Sequence, residues 1–324
     1  MTLEEDDHSA SHDYESAFDE LRDEVVRGLM LRPKRWPCRF LYDSAGSQLF
    51  EKICQLDEYY PTRTETAILD RNIEEIVTLC GSRCLLLELG SGSSTKTRIL
   101  LNRLRDPIAY VPIDISRRQL QCQAAVLNKE YPKLAILPVY ADYTRPLRLP
   151  EAVQNFDRKI VFFPGSTVGN FEPDEAVTFL RRMAALCGPH GSMLIGVDLK
   201  KERAVLERAY NDSQGVTAAF NLNLLRRANR ELGADFDLER FRHRALYYER
   251  SGCIEMRLVS TSRQVVHVDG IAAAFERGEP LITEHSYKYT IEGFGEMAER
   301  AGFAIRRVWT DPRGWFSVHF LEPN

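Results

Sequence analysis

The chain lacks both a long apolar run and a basic N-terminal start. Apolar runs such as residues 84–87 and 160–163 are far shorter than the roughly 18 residues that a membrane span requires. The first twenty residues carry eight carboxylates and no Lys or Arg, whereas a secretory signal begins with basic residues. We therefore expect a cytoplasmic protein that contacts no membrane, in which residues 1–15 form a disordered acidic tail.

Cysteine pairs at regular spacing are also missing. Seven cysteines are scattered over 324 residues, and this odd count favours reduced thiols over a disulfide framework. No pairs of Cys or His have the spacing of a zinc finger, so we expect no metal. The formal net charge of −4 offers no concentrated basic face for nucleic acid. We expect a monomer whose partner is a small molecule.

Short apolar runs alternate with longer amphipathic ones between residues 84 and 198, which is typical of a parallel sheet wrapped by helices. The predicted strands are residues 84–89, 109–115, 134–140, 159–163 and 192–197. The predicted helices are residues 95–105, 117–131 and 173–187.

The rhythm changes after residue 198. A long helical stretch over residues 200–232 precedes a hairpin around Ser251-Gly252, and the tail returns to a helix (291–301) and two strands (304–310 and 315–321). A helix and an antiparallel strand pair that close a parallel sheet are typical of class I (Rossmann-like) methyltransferases. The sequence thus predicts an α/β fold with an inserted α+β subdomain.

The first predicted strand runs into the glycine-containing segment Glu88-Leu-Gly90-Ser91-Gly92-Ser-Ser-Thr95-Lys96-Thr97. Glycines permit a tight turn and let a ligand approach the backbone closely. A dinucleotide fingerprint and a phosphate-binding loop would each need a third glycine at position 95, where this chain has Thr95. S-adenosylmethionine presents no phosphate, so two glycines and a polar turn suffice for it. A structural turn without a ligand remains the alternative.

Polar residues also follow the next three predicted strands. Asp114 ends the second strand, where it can accept both ribose hydroxyls or cap the following helix. Asp142 and Tyr143 end the third strand, where they can bind adenine or form a solvated turn. Asn170 follows the fourth strand, where its amide can hold an amine and a carboxylate or support its own turn.

Glu284 and Ser286 lie two residues apart in a strand-like run over residues 282–287. They share one face of that strand while His285 points to the other. A carboxylate beside a hydroxyl suits an imidazole, because the two groups can accept and donate at its polar atoms. A solvated strand face would show the same pattern.

With these residues in place, the sequence resembles the histidine-specific, S-adenosylmethionine-dependent methyltransferase family over nearly everything after residue 20. Besides the glycine loop, the segments that carry the resemblance are Phe40-Leu-Tyr42-Asp-Ser-Ala-Gly46-Ser, Glu58-Tyr59-Tyr60-Pro-Thr-Arg63-Thr-Glu65, Gly165-Ser-Thr-Val-Gly169-Asn170, Tyr210-Asn-Asp with Gly215-Val-Thr-Ala-Ala-Phe-Asn221, Ile254-Glu-Met256 and Thr283-Glu284-His-Ser286.

The resemblance implies three successive methyl transfers to the α-amine of L-histidine. The product would be Nα,Nα,Nα-trimethylhistidine (hercynine), in a step of ergothioneine biosynthesis. A relative that methylates another amino acid or small amine is the alternative. The resemblance also implies a methyltransferase domain of residues 63–199 and 288–324, with a substrate-binding subdomain of residues 16–62 and 200–287.

Site residues follow from the same resemblance. The residues that would hold S-adenosyl-L-methionine are Gly90, Ser91, Gly92, Lys96, Asp114, Asp142 and Tyr143. Those that would orient the amine and carboxylate of the amino acid are Tyr42, Tyr59, Gly165, Asn170 and Tyr210. Those that would line the imidazole pocket are Met256, Glu284 and Ser286. Tyr143 stands where we expect Phe and Ala141 where we expect Gly, and neither change should prevent adenine binding.

Overall fold

A computed structural model of the protein describes residues 5–92, 94–150 and 155–324, with side chains described from residue 18 onward. The α-helices of these residues are α1 (Glu5–Met30), α2 (Ser44–Ile53), α3 (Tyr60–Arg71), α4 (Ile73–Cys80), α5 (Thr95–Leu101), α6 (Arg117–Glu130), α7 (Pro173–Cys187), α8 (Arg203–Tyr210), α9 (Val216–Leu232) and α10 (Ile291–Arg300). None of them is long and apolar enough to cross a bilayer.

The described residues also form β-strands. They are β1 (Lys34–Arg35), β2 (Cys84–Leu89), β3 (Ala109–Asp114), β4 (Ala135–Ile136), β5 (Val139–Tyr140), β6 (Arg158–Phe163), β7 (Ser192–Asp198), β8 (Phe241–Tyr248), β9 (Cys253–Ser260), β10 (Gln264–Val268), β11 (Ile271–Phe275), β12 (Pro280–Tyr287), β13 (Phe303–Thr310) and β14 (Phe316–Pro323). Short 3-10 helices form at Cys38–Leu41, Thr167–Asn170 and Leu238–Arg240.

The chain forms two compact units, each built from separate stretches of sequence. The first unit comprises Met1–Ile53, Tyr210–Leu246 and Glu255–His285. The second comprises Cys54–Ala209, Tyr247–Ile254 and Ser286–Asn324.

A sheet with the strand order β13-β14-β7-β6-β2-β3-β4 forms the centre of the second unit, and β5 also pairs with β3. The strands from β7 to β4 run parallel, whereas β14 runs antiparallel to both of its neighbours. The chain passes from β2 to β3 on one side and later to β6 on the other side of β2. Open α/β sheets bind ligands at such a point of reversal, beyond the carboxyl ends of the strands.

Helices cover both faces of this sheet. On β2, Leu85, Leu87 and Leu89 pack with residues of α7 and α10, whereas Cys84 and Leu86 pack with residues of α3, α4, α5 and α6. Every residue of β2 is buried. Burial on both faces explains why the parallel strands read as nearly continuous apolar runs rather than as alternating ones.

The predicted class I, Rossmann-like α/β fold is confirmed by this topology. Helix α7 and strand β2 begin and end at the predicted residues. The predicted strand over residues 134–140 is instead two short strands, β4 and β5. Pro138 lies between them and has no amide hydrogen to donate to a neighbouring strand, which interrupts the pairing.

Two further predictions differ from the structure. The stretch predicted over residues 200–232 is two helices, because Gly215 adopts a φ of +74° and the Asp212 carboxylate accepts the Val216 and Thr217 amides that begin α9. The acidic segment predicted to be disordered over residues 1–15 is helical from Glu5, and no Gly or Pro interrupts the chain before Gly28. Residues 1–4 lie outside the described residues.

The first unit has an aromatic core. Leu21, Val25 and Leu29 of α1 recur every four residues and are buried. The Trp36 indole donates to the Val25 carbonyl at 3.0 Å, and its ring meets Phe236 edge to face at 5.5 Å between centroids. These contacts join the N-terminal helix to the middle of the chain within this unit.

A hairpin of β10 and β11 in the first unit is absent from the predicted elements. Its turn is Asp269-Gly270, whose φ angles are +49° and +76°. Positive φ at both central residues is typical of the two-residue turn that matches the twist of antiparallel strands. The Asp-Gly pair was the sequence signal for this hairpin.

We expect His319 of β14 to make stability fall with acid. The side chain is fully buried, and burial lowers its pKa to about 3. Below pH 6.5 the unfolded chain binds a proton that the folded chain excludes, so the free energy of unfolding should fall as pH drops toward 3. The His319→Gln variant should lose up to about 1.4 kcal/mol per pH unit of this slope. Urea denaturation of both proteins at pH 7, 6 and 5 checks it, and equal slopes would contradict it.

Candidate active site

The glycine loop lies at the carboxyl end of β2 and adopts left-handed backbone at three of its described positions. Gly90 and Gly92 have φ angles of +72° and +45°, and Ser94 adopts +54°. The Gly90 amide donates to the Ile113 carbonyl of β3 at 2.8 Å, so this turn is anchored to the neighbouring strand. The Ser91 side chain is buried, and its carbonyl accepts the Ser94 amide at 2.9 Å. Backbone rather than side chains therefore forms much of this edge.

Tyr143 lies against the glycine loop. A Cβ atom on Gly90 would be 3.7 Å from Tyr143 Cε1. The tyrosine ring meets Phe163 and Phe179 edge to face, with centroid distances of 5.5 and 6.2 Å. The structure thus places Tyr143, the proposed adenine-stacking residue, next to the loop, where its ring packs against two buried phenylalanine rings.

Asp114 ends β3 and contacts the same loop. Its Oδ1 accepts the Ser116 amide at 2.9 Å, and its Oδ2 accepts the Gly92 amide at 3.4 Å. Burial raises the pKa of Asp114 above its usual value, against the lowering effect of these hydrogen bonds. Asp114 therefore supports the turn before α6 through Ser116. Its contact with the Gly92 amide is long and weak, so a ribose hydroxyl could replace it.

Asp142 is partly committed to its own turn. Its Oδ1 accepts both the amide and the hydroxyl of Thr144, at 2.8 and 2.6 Å. Its Oδ2 lies 3.9 Å from Arg145 Nε. One carboxylate oxygen thus holds the local turn, which leaves the second for a weaker contact such as an adenine amino group.

Lys96 and Gly165 share a partner to which the sequence analysis assigned no role. The Lys96 ammonium contacts the carboxylate of Glu65 in α3, and Glu65 is fully buried. The Gly165 amide donates to the same carboxylate at 2.9 and 3.1 Å. Gly165 itself adopts a φ of +82° at the end of β6. A proposed cofactor residue and a proposed substrate residue are therefore held by one buried group.

Glu88 of β2 was also assigned no role. The Thr97 hydroxyl donates to its carboxylate at 2.5 Å, and the Tyr110 hydroxyl donates to the same oxygen. Burial raises the pKa of Glu88 to about 7, although these hydrogen bonds act in the opposite direction. The contacts tie β2, β3 and the start of α5 together beside the glycine loop.

Asn170 ends the 3-10 helix Thr167–Asn170 that follows Gly165. Its side chain is half-buried and makes no hydrogen bond within the part of the chain that the structure describes. The neighbouring Gly169 lies so close to the Tyr287 backbone that an added Cβ would be 2.5 Å from its carbonyl oxygen. Close packing therefore fixes the turn, and its shape does not depend on the Asn170 amide.

Tyr59 and Ser286 are the remaining proposed site residues of the second unit. Tyr59 is buried just before α3, and its carbonyl accepts from Arg63 at 3.1 Å. Ser286 Oγ accepts from the buried Lys288 ammonium at 2.8 Å. Lys288 also pairs with Asp198 Oδ2 at 2.9 Å.

The Asp198 carboxylate also contacts a hydroxyl and a second ammonium group, and the sequence did not indicate these contacts. Tyr60 donates its hydroxyl to this carboxylate at 2.8 and 2.9 Å, and Lys201 Nζ lies 2.6 Å from Oδ1. Burial would raise the pKa of Asp198, but the two ammonium groups hold it below its usual value. Burial lowers the pKa of Lys201 to about 8.

The other four proposed site residues lie in the first unit. Met256 of β9 and Glu284 of β12 are buried on neighbouring strands, and the Thr283 hydroxyl donates to the Met256 carbonyl at 3.2 Å. Tyr42 meets Phe50 and Phe220 edge to face, both at 5.5 Å.

Tyr210 ends α8, and His243 Nε2 lies 2.7 Å from its carbonyl oxygen. Tyr210 is itself buried. His285 lies 3.4 Å from Glu255, and strand alternation places it opposite Glu284 and Ser286.

The strand ends of the second unit fit S-adenosylmethionine better than a phosphate-bearing nucleotide. The Gly92 amide faces the Asp114 carboxylate, and a second carboxylate, Glu88, is buried at the end of β2. A phosphate-binding loop would in addition need a glycine at position 95, where this chain has Thr95. A ribose acceptor, a ring beside the loop and the Lys96 ammonium provide instead for a nucleoside that carries an amino acid.

The comparison with known proteins agrees with this arrangement. Residues 21–323 match the family described as histidine-specific, SAM-dependent methyltransferases. The chain is 41% identical over 310 residues to a histidine N-alpha-methyltransferase of Mycolicibacterium smegmatis, covering 94% of this chain and 95% of the relative. It is 39% identical over 303 residues to that of Mycobacterium tuberculosis, covering 92% and 93%.

A longer relative matches only in part. Ergothioneine biosynthesis protein 1 of Neurospora crassa is 33% identical over 285 residues, which cover 86% of this chain and 32% of that protein. The family match extends over both units and includes the residues at the ends of β2, β3 and β6. The protein belongs to the histidine-specific, S-adenosylmethionine-dependent methyltransferase family.

Proposed function

We propose that this enzyme transfers three methyl groups from S-adenosylmethionine to the α-amine of L-histidine, giving Nα,Nα,Nα-trimethylhistidine for ergothioneine biosynthesis. The observation that carries the proposal is the near-full-length similarity to two histidine N-alpha-methyltransferases. The strand ends of the second unit and the buried Met256 and Glu284 of the first provide residue types that suit this substrate.

The cofactor supplies an electrophilic methyl group on a sulfonium. Asp114 would accept the ribose hydroxyls, and Tyr143 with Asp142 would hold the adenine. Lys96, with the backbone of Gly90, Ser91 and Gly92, would hold the amino-acid end. These assignments agree with the positive φ angles of both glycines and with the Tyr143 ring beside Gly90.

The amine must be neutral to attack, yet an α-amine is largely protonated at neutral pH. The protein therefore has to favour the free base and hold it about 3 Å from the methyl group, which is mainly a task of positioning. We assign this task to Asn170 and Tyr59, with Tyr42, Tyr210 and the Gly165 backbone. Burial of Tyr59 and Tyr210 provides the low-polarity surroundings that disfavour an ammonium ion.

The imidazole would be recognised by a carboxylate and a hydroxyl. Ser286 Oγ accepts a hydrogen bond from Lys288, and a hydroxyl is also the type of group that can donate to an unprotonated imidazole nitrogen. Glu284 can accept the N–H of the other nitrogen, and the flexible Met256 side chain can fill the space against the ring.

The reaction itself is tested by mass spectrometry of the product formed from L-histidine and excess S-adenosylmethionine. We expect a mass gain of three methyl groups, and mono- and dimethylhistidine should also serve as substrates. A product that stops at monomethylhistidine would contradict the proposed trimethylation. No product from histidine, with product from another amino acid, would favour the alternative acceptor.

Asn170→Ala should reduce kcat/KM for histidine about 100-fold or more and leave cofactor affinity near that of the wild type. The amide has no role in its own turn, so its loss should misorient the amine without altering the fold. Steady-state kinetics and calorimetric titration of the cofactor measure the two effects.

The matched control is Asn72→Ala, because Asn72 Nδ2 donates to the Ile68 carbonyl at 2.7 Å at the end of α3. That variant should lose stability but keep its kcat/KM. Wild-type turnover by Asn170→Ala would remove Asn170 from the site.

Glu284→Ala should reduce kcat/KM for histidine by about ten- to a few-hundredfold, because a charge-assisted hydrogen bond is worth about 1.5–3 kcal/mol. Tryptophan, whose larger ring gains space, should lose less or gain. The measurement is kcat/KM for both amino acids with each variant.

Glu255→Gln serves as the control, since Glu255 lies on the same sheet but pairs with His285 and Arg257. It should leave the ratio of the two substrates unchanged. Equal losses for histidine and tryptophan in Glu284→Ala would indicate general damage and contradict the imidazole assignment.

A further inference from the structure

Glu65 is a buried charge with two different partners in the second unit. It lies in α3, its side chain is fully buried, and its carboxylate contacts the Lys96 ammonium and the Gly165 amide. A buried carboxylate with fewer partners would be strongly destabilising. Lys96 is itself only 14% exposed, so the pair is largely removed from water.

The sheet makes room for this carboxylate. A Cβ atom added to Gly196 of β7 would be 2.0 Å from Glu65 Oε1. No side chain can therefore occupy position 196 while Glu65 keeps its place, since real Cβ atoms do not approach an oxygen so closely. The glycine in the middle of a fully buried strand is explained by the carboxylate that lies over it.

Gly165 is restricted by its backbone conformation and lies beside Lys96. Its φ of +82° favours glycine, and an added Cβ would be 3.8 Å from Lys96 Nζ and 3.4 Å from Thr167 Oγ1. The Lys96 ammonium therefore lies close to the turn that leads to Asn170. The Glu65 carboxylate therefore fixes both the Lys96 ammonium, which follows the glycine loop, and the Gly165 backbone, which precedes the proposed amine-orienting residue.

The charges of this pair matter for the ligand that Lys96 would hold. S-adenosylmethionine carries a sulfonium cation in addition to its amino and carboxylate groups, whereas S-adenosylhomocysteine has a neutral thioether. An ammonium without a counter-ion attracts the carboxylate of either ligand but repels the sulfonium of only one. In a site with little water, such repulsion between unit charges several ångströms apart is substantial.

The geometry points to Glu65 as a positioning residue that neutralises Lys96, so that the site anchors the cofactor's carboxylate without disfavouring its sulfonium relative to the thioether product. This inference rests on the proposed role of Lys96 in holding the cofactor. It concerns the balance between cofactor and product, which the identity of the methyl acceptor does not affect.

Calorimetric titration of the purified full-length protein with each ligand tests the inference without any turnover. Glu65→Gln preserves the size of the side chain and an acceptor for the Gly165 amide but removes the charge. We expect affinity for S-adenosylmethionine to fall about tenfold or more, with a clearly smaller loss for S-adenosylhomocysteine. The ratio of the two dissociation constants should therefore shift against the cofactor.

The double variant Glu65→Gln/Lys96→Met removes both charges and should return this ratio toward the wild-type value, although both ligands bind more weakly. Glu75→Gln changes a carboxylate in the same unit that instead accepts from the Trp309 indole at 2.7 Å, and it should leave the ratio unchanged. Circular dichroism and thermal unfolding establish that each variant is folded.

Equal losses for both ligands in Glu65→Gln would mean that Glu65 only supports the fold. Unchanged binding of both ligands would mean that the Glu65 charge affects neither the fold of the site nor the preference between the ligands. Either result overturns the inference. A ratio shift in Glu65→Gln, together with no product from histidine in the wild-type enzyme, would instead contradict the proposed acceptor and leave the role of Glu65 standing.

Discussion

The candidate active site depends on the central position of β2 in the parallel sheet. Because β3 lies on one side and β6 on the other, the segments after β2 and β6 leave the sheet in opposite directions. A crevice forms at such a point, and both segments enter it through glycines with positive φ, Gly90 at +72° and Gly165 at +82°. Backbone can therefore approach a ligand from two neighbouring strands, which would place the proposed cofactor and acceptor sites on a common edge.

Buried carboxylates of the second unit show how differently such charges can be accommodated. Asp198 faces two ammonium groups, and its pKa stays below the usual value despite burial. Glu88 receives hydrogen bonds from the neutral hydroxyls of Thr97 and Tyr110, and burial raises its pKa to about 7. Apolar residues could replace such groups at little cost in stability. Buried carboxylates of this kind provide fixed hydrogen-bond acceptors and hold fixed donors, which need no rearrangement when a ligand binds.

The parallel sheet of the second unit could be predicted from the sequence, because burial on both faces leaves a local pattern of short apolar runs separated by amphipathic helices. The Asp269-Gly270 hairpin was missed although its turn signal is local. The role of Glu65 could not be predicted, since its partner Gly165 lies 100 residues away and Gly196 carries no side chain to suggest it. Contacts of that kind depend on strand order, which a single sequence does not specify.

In the proposed function, reaction class and substrate identity depend on different parts of this chain. Every proposed cofactor residue belongs to the second unit, at the ends of β2, β3 and β5 and at the start of α5. Met256 and Glu284, which would distinguish imidazole from other rings, belong to the first. Displacement at a sulfonium needs a positioned neutral amine and little acid or base, so it tolerates many side chains attached to that amine. A pocket built to satisfy polar ring atoms discriminates strongly, because an unsatisfied buried group is costly. If Glu284 binds the imidazole as proposed, its substitution should change which amino acid is methylated while the chemistry at the strand ends stays the same.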